Sequence, residues 1–138
     1  MNVLVVEPYK EPYEKEIDPG LESLQHEVGG DIEAIYPFDD PVAVICNEEG
    51  KLEGLTLNRS LRDEDGEIYD ILAGTFLVVG LGEENFDGLS KEQMEKFKER
   101  FKTPEQFISI GGEIFSIPMA EIGEKPARNE PSVNGEAR

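Results

Sequence analysis

The side chains best suited to nucleophilic chemistry are Cys46 and His26, each the sole residue of its type in the chain. A thiol activated by an imidazole is a common enzymatic nucleophile. Cys46, however, ends an apolar run that begins at Val42, and a buried, unreactive thiol is the usual outcome there. His26 lies beside the apolar face of a predicted helix, without a second His to share a metal ion. We therefore predict that the protein is not an enzyme.

Carboxylates are abundant, but no spacing selects a catalytic or metal-binding set from them. The run at residues 63–67 resembles a calcium-binding loop in composition. When Gly66 is aligned with the turn glycine of such a loop, Leu61 falls at the first ligand position and Leu72 at the position of the bidentate glutamate. Neither leucine can bind calcium, so this segment is predicted to be a turn only.

A glycine-rich segment at residues 80–82 follows a predicted strand, as phosphate-binding loops do. Glu83 and Glu84 come next, where a bound phosphate would lie, and no third glycine completes the fingerprint. We therefore predict neither a cofactor nor a metal ion for this protein.

One polar segment is a better candidate for a binding site. Lys51 and Arg59 are cations in an acidic neighbourhood, and Asn47 and Asn58 add neutral hydrogen-bonding groups. Two cations and a glycine that permits close approach, Gly74, are a minimal set for recognising phosphate. The competing interpretation is structural, with Asn47 capping a turn and Arg59 pairing with an acid. The candidate ligand- or partner-binding residues are Asn47, Glu48, Glu49, Lys51, Asn58, Arg59, Gly74 and Thr75.

Apolar and β-branched runs predict the strands that must position these residues. We expect the strand at 42–46 to fold back onto residues 51–55 through a turn that closes on a left-handed Gly50. Gly74 separates two later strands, at a bulge or a close backbone contact. Residues 9–17 form either an edge strand or an irregular excursion. The strands are predicted at 3–6, 32–37, 42–47, 68–72 and 75–79, with a final hairpin at 108–117.

Two helices are marked by capping residues and by single apolar stripes. The first is predicted to begin at Asp18 and Pro19 and to end at the left-handed Gly29. The second has a capping box formed by Ser90 and Gln93. The inward stripes are Leu21, Leu24 and Val28 in the first helix and Met94, Phe97 and Phe101 in the second.

Together these elements predict an α+β domain over residues 1–120, with a small mixed, mainly antiparallel sheet and two helices packed on it. Residues 121–138 contain almost nothing apolar and are predicted to be a disordered tail. A single cysteine excludes an internal disulfide, and no stretch approaches the roughly 20 apolar residues of a membrane span. We expect a cytoplasmic protein without membrane contact.

The charge is unevenly distributed along the chain. The net charge of −18 comes from 31 acidic and 13 basic residues. Residues 1–89 carry 22 acids and 5 bases, whereas residues 90–102 carry 3 acids and 5 bases. Such a negative field repels phosphate backbones, so we predict no direct binding of nucleic acid.

Five sequence blocks in this order resemble a family catalogued as domain of unknown function 3846, over roughly residues 1–107. The resemblance implies a home on phages, conjugative elements and related mobile DNA, mostly in Gram-positive gut bacteria. It implies no activity and no functional residues. The blocks are Gly29-Gly30-Asp31-Ile32-Glu33, Tyr36-Pro37-Phe38, Asn47-Glu48-Glu49-Gly50-Lys51-Leu52, Leu57-Asn58-Arg59 and Ala73-Gly74-Thr75-Phe76.

Two functions follow as hypotheses. The first is a non-enzymatic interaction protein of a mobile element, for example a host-defence inhibitor, whose acidic face binds a protein partner with a basic surface. The alternative is a protein that binds or sequesters a small phosphate-bearing ligand such as a nucleotide, through Lys51, Arg59 and the backbone of Gly74.

Overall fold

The computed structural model describes residues 1–119, and the predicted disordered tail at 121–138 lies outside them. Its elements, in chain order, are β1 (Asn2–Val6), β2 (Tyr13–Glu16), α1 (Leu21–Val28), β3 (Ile32–Ile35), β4 (Val42–Asn47), β5 (Leu57–Arg62), β6 (Ile68–Ala73), β7 (Phe76–Leu81), β8 (Phe86–Asp87), α2 (Lys91–Arg100), β9 (Glu105–Ile110) and β10 (Glu113–Pro118). This is the predicted α+β class. Neither described helix is long and apolar enough to cross a membrane.

The main sheet has the strand order β2-β1-β7-β4-β3, with β8 added on β7, and every pairing is antiparallel. Its three inner strands are buried on both faces, which explains why their sequences are almost unbroken apolar runs. In β1, for example, Val3 and Val5 point to one core cluster, whereas Leu4 and Val6 point to the other. The short edge strand β2 is one of the two forms predicted for residues 9–17.

The two helices cover opposite faces of this sheet. Leu24 and Val28 of α1 belong to one core cluster, and the stripe of α2 belongs to the other, as their spacing predicted. The capping box of α2 is confirmed, because the Ser90 hydroxyl accepts from the Gln93 amide and the Gln93 side chain accepts from the Ser90 amide. Gly29 ends α1 in the left-handed conformation, also as predicted.

The predicted start of α1 at Asp18 is wrong. The helix begins at Leu21 behind Gly20, which makes no side-chain capping bond. Ile17 donates its amide to the carbonyl oxygen of Met1 at 2.9 Å, so the chain is still extending beside β1 when it reaches Asp18. That edge pairing delays the start of the helix by two residues, from Pro19 to Leu21.

The predicted hairpin between residues 42–46 and 51–55 is also wrong. Both edges of β4 are already occupied, by β3 and by β7, and residues 51–54 form turns. Gly50 does not have a positive φ. Gly50 instead lies against the backbone of Ala73: a Cβ on residue 50 would lie 2.9 Å from the carbonyl oxygen of Ala73.

Two hairpins lie outside the main sheet. β5 and β6 pair with each other and add Leu61 and Leu72 to the core on the α2 side. Between β6 and β7 the chain leaves this hairpin for the main sheet at Gly74, where a Cβ would lie 2.7 Å from Leu55, so the predicted close contact is confirmed. β9 and β10 form the predicted final hairpin across Gly111 and Gly112, both with positive φ.

The capping box makes α2 sensitive to one substitution. We expect Ser90→Ala to lower the free energy of unfolding by about 1 kcal/mol, because the Gln93 amide loses its acceptor. Urea denaturation followed by circular dichroism measures this. Ser109→Ala, at an exposed position in β9, is the control and should change stability by less than about 0.5 kcal/mol. Equal effects would contradict a specific capping role.

Candidate functional site

Four of the predicted site residues meet at one small cavity. Asn47, Glu48, Glu49 and Lys51 line a cavity of about 170 Å³ between the end of β4 and β6. Asn47 is buried and holds the turn: its Oδ1 accepts from the Glu49 amide at 2.8 Å, and its Nδ2 donates to the carbonyl oxygen of Val28 at 3.3 Å. Four of the eight predicted residues therefore lie together, and the bond from the Glu49 amide confirms the predicted capping role of Asn47.

The cavity is poorly suited to an anion. The Lys51 ammonium pairs with Asp70 at 2.5 Å, so its charge is already balanced. Glu33, Glu48 and Glu49 line the same cavity and are exposed, which leaves the mouth negative. Asp70 lies 19 residues from Lys51, and no sequence motif connects the two.

Arg59 is not at this cavity, because its side chain is buried with only 1% of its surface exposed. Its Nε and Nη2 donate to the carbonyl oxygen of Phe101 at 3.1 and 2.9 Å, and Nη2 also donates to that of Lys10 at 2.7 Å. Nη1 donates to Asn58 Oδ1 at 2.8 Å. Burial lowers the pKa of the guanidinium to about 10, against an opposing effect of Glu105. Its described hydrogen-bond partners are oxygens of Phe101, Lys10 and Asn58, and no salt bridge to an acid is formed within residues 1–119.

Asn58 and Gly74 belong to the same buried network as Arg59. Asn58 Nδ2 donates to the carbonyl oxygens of Val6 and Gly74 at 2.9 and 2.8 Å. The Gly74 amide donates to the carbonyl oxygen of Thr56 at 2.7 Å, so it does not face a ligand. Thr75 is half-buried between β6 and β7. Lys51, Arg59 and the Gly74 amide thus do not converge.

A hydrogen-bond network around the carboxylate of Glu105 was not predicted from the sequence. Glu105, at the start of β9, accepts from the Ser60 amide and hydroxyl and from the Ser116 hydroxyl, with the shortest bond at 2.6 Å. It joins the final hairpin to β5. Serine and glutamate separated by 45 residues carry no recognisable pattern, so only the fold reveals this contact.

The basic residues of α2 are largely used to attach the helix to the rest of the domain. Lys96 pairs with Asp40 at 2.7 Å and Lys98 with Glu14 at 3.2 Å. Arg100 lies over the ring of Phe38, 5.3 Å from its centroid. The basic character of α2 is therefore partly neutralised by acids from the first 89 residues.

Residues 1–102 match the family model described as "Domain of unknown function (DUF3846)". The chain belongs to this family. No curated protein and no solved structure matches it significantly. The matched residues confirm the resemblance seen in the five sequence blocks. The β9–β10 hairpin follows the matched part of the DUF3846 domain.

Cys46 and His26 do not form a catalytic pair in this DUF3846 domain. Cys46 is 6% exposed in β4, with its thiol 3.7 Å from the carbonyl oxygen of Glu33. Burial, aided by the nearby negative charges of Glu33 and Asp70, raises the pKa of the thiol to about 11. His26 is exposed on α1, which covers the other face of the sheet. Within residues 1–119, no group of three His, Cys, Asp or Glu side chains could hold a metal ion.

The Arg59 network predicts a large loss of stability on substitution. We expect Arg59→Met to lower the free energy of unfolding by about 3 kcal/mol, because the buried carbonyl oxygen of Phe101 and the part-buried one of Lys10 lose their donor. Arg62→Met is the matched control: Arg62 is exposed on the same strand, and its loss should cost less than about 0.5 kcal/mol. Similar losses in the two variants would contradict the assignment.

The buried thiol predicts slow chemical labelling. At pH 8 the thiolate fraction of folded Cys46 should be about 100-fold below that of the unfolded chain, because burial favours the neutral thiol. We therefore expect a disulfide reagent to label the native DUF3846 domain at least about tenfold more slowly than the urea-unfolded chain, because the greater nucleophilicity of a thiolate with a raised pKa offsets part of its lower population. Comparable rates in the two states would show a reactive thiol.

Proposed function

We propose that this DUF3846 domain is a non-enzymatic, cytoplasmic interaction protein that binds a basic surface on a partner protein. The proposal rests on the number of acidic residues that remain outside salt bridges. Residues 1–119 contain 27 acidic and 10 basic residues. Five of the basic residues form salt bridges with five acids, which leaves 22 acids outside these pairs, and a sixth base, Arg59, is buried.

The two faces of the sheet differ in charge. All five basic residues of the segment 90–102 belong to α2 or follow it directly, on one face. On the other face, Glu22 is exposed on α1, and Glu83 and Glu84 line a cavity with Phe86, which packs against the α1-side core. We assign the partner-binding role to this α1 face, because an uncompensated negative surface attracts a basic one.

The resemblance to the DUF3846 family implies a home on mobile DNA, and this expectation supports a role there. A phage or conjugative element must contend with host enzymes that carry basic surfaces for nucleic acid. An acidic protein that occupies such a surface inhibits the enzyme without any chemistry of its own. We therefore propose inhibition of a nucleic-acid-handling host protein, such as a defence enzyme.

The small-ligand alternative receives no support from the site geometry. Its three contact groups are separated: Lys51 pairs with Asp70, while Arg59 and the Gly74 amide bond to backbone oxygens. The remaining cavity of about 170 Å³ is small for a nucleotide and has a negative mouth.

Retention of partners from nuclease-treated host lysate tests the proposal. We expect basic nucleic-acid-binding proteins to be retained at about 50 mM NaCl and released at about 500 mM, because screening weakens contacts between charged surfaces. For a purified retained protein, adding the domain should displace its DNA.

Two neutralised variants locate the binding face. Glu22→Gln/Glu83→Gln/Glu84→Gln on the α1 face should weaken partner binding about tenfold. The control carries the same charge change on α2, at Glu92, Glu95 and Glu99, and should bind like the wild type. Retention of no basic protein at either salt concentration contradicts the proposed function, and equal effects of the two variants contradict the face.

A further inference from the structure

The α1 face carries a groove formed by two adjoining cavities, of which the first is mainly apolar and the second is lined by both apolar and acidic residues. The first, of about 410 Å³, lies between α1 and β8 and is lined by Met1, Leu21, Leu24, Ile32, Asn85 and Phe86, together with Pro19 and Gly20. The second, of about 370 Å³, shares Asn85 and Phe86 with the first and extends to Leu81 and Tyr36. Each has the volume of an ordinary ligand pocket.

Large apolar side chains in this groove are exposed without a covering element among the described residues. Leu21 is 56% exposed, Tyr36 59% and Leu81 43%. Leu21 was predicted to be part of the inward stripe of α1, but only Leu24 and Val28 are buried in the core, and Leu21, the first residue of the helix, stays exposed. Its side chain is left at the mouth of the first cavity.

Among residues 1–119, the groove has acidic edges and no cationic side chain in its lining. Glu83 and Glu84 line the second cavity, and the exposed Asp18 and Glu22 are chain neighbours of the residues that line the first. No Lys or Arg side chain from the described part of the chain lines either cavity. An anionic ligand is therefore disfavoured, and a ligand with apolar and cationic groups is favoured.

We propose that this groove binds an amphipathic, basic helical segment of the partner protein. Successive apolar side chains on one helix face would enter the two cavities, and flanking Lys and Arg would contact the acidic edges. A second copy of this chain is a poor occupant, since each copy carries a net charge of −18. This inference rests on the proposed function and adds an apolar anchor to it.

A synthetic peptide of about 18 residues tests the groove directly, with Leu at helical spacing on one face and Lys on the other. The comparison peptide has the same composition in scrambled order, so it keeps the charge and loses the stripe. By fluorescence anisotropy with the full chain, we expect the amphipathic peptide to bind at least about tenfold more tightly than the scrambled one.

Two double variants separate the groove from other exposed apolar surface. Leu21→Ser/Leu81→Ser, at exposed positions, should weaken amphipathic-peptide binding at least about tenfold, to the level of the scrambled peptide. Ile110→Ser/Phe115→Ser, on the β9–β10 hairpin at positions 61% and 44% exposed, should bind like the wild type. Circular dichroism and thermal melting verify that both variants fold.

The proposed groove function is contradicted if the two peptides bind equally tightly, or if neither peptide binds. So does a loss of binding in the hairpin variant alone. A dimer seen by sedimentation that dissociates in the Leu21→Ser/Leu81→Ser variant would make a second copy the occupant and overturn the assignment of the partner. If any of these contradicting results is obtained while the lysate test still retains basic partners, the proposed function stands and only the assignment of the groove is wrong. If the lysate test fails, the proposed function fails whatever the peptides do.

Discussion

The buried guanidinium of Arg59 is the contact on which the arrangement of the layers depends. It reaches three parts of the chain at once: the end of α2, the loop after β1 and its own strand β5. Burying a cation is costly unless its donors are satisfied. Here backbone oxygens and the amide oxygen of Asn58 accept the hydrogen bonds, and the Phe101 carbonyl lies at the C-terminus of α2, where the helix dipole is negative. Since Asn58 also binds Val6 and Gly74, the β5–β6 hairpin is held against the main sheet.

That packing gives the two faces of the sheet different properties. On the α2 side, the hairpin and four phenylalanines (Phe38, Phe76, Phe97 and Phe101) close the core, with the ring centroids of Phe38 and Phe97 4.9 Å apart. Lys96 and Lys98 then add ion pairs that attach the helix. On the α1 side, a helix of eight residues covers less of the sheet, and the surface around it keeps its acids and a groove. An interaction surface on the α1 face is consistent with this asymmetry, because exposed apolar area beside uncompensated charge is a typical feature of binding sites.

Much of the fold was predictable from local signals, because those signals depend on neighbouring residues alone. Ser90 and Gln93 are three residues apart, and their capping box formed as predicted. Apolar runs located β1, β4 and β7, and glycines located the final turn. The failures were contacts between distant segments. The partner of β4 was predicted to be its neighbour in sequence, yet β3 and β7 pair with it, since a strand buried on both faces needs two paired edges.

For the candidate site, the sequence by itself determined which polar residues are unusual and that the charge lies mainly in the first 89 residues. Only the tertiary structure decided what they do. It placed Lys51 at a cavity with Asp70 and buried Arg59 under the end of α2, although both are cations in one segment. The physical reason is that burial and pairing depend on which surfaces meet in three dimensions. Composition records how much charge a chain carries, and packing decides which charges remain exposed.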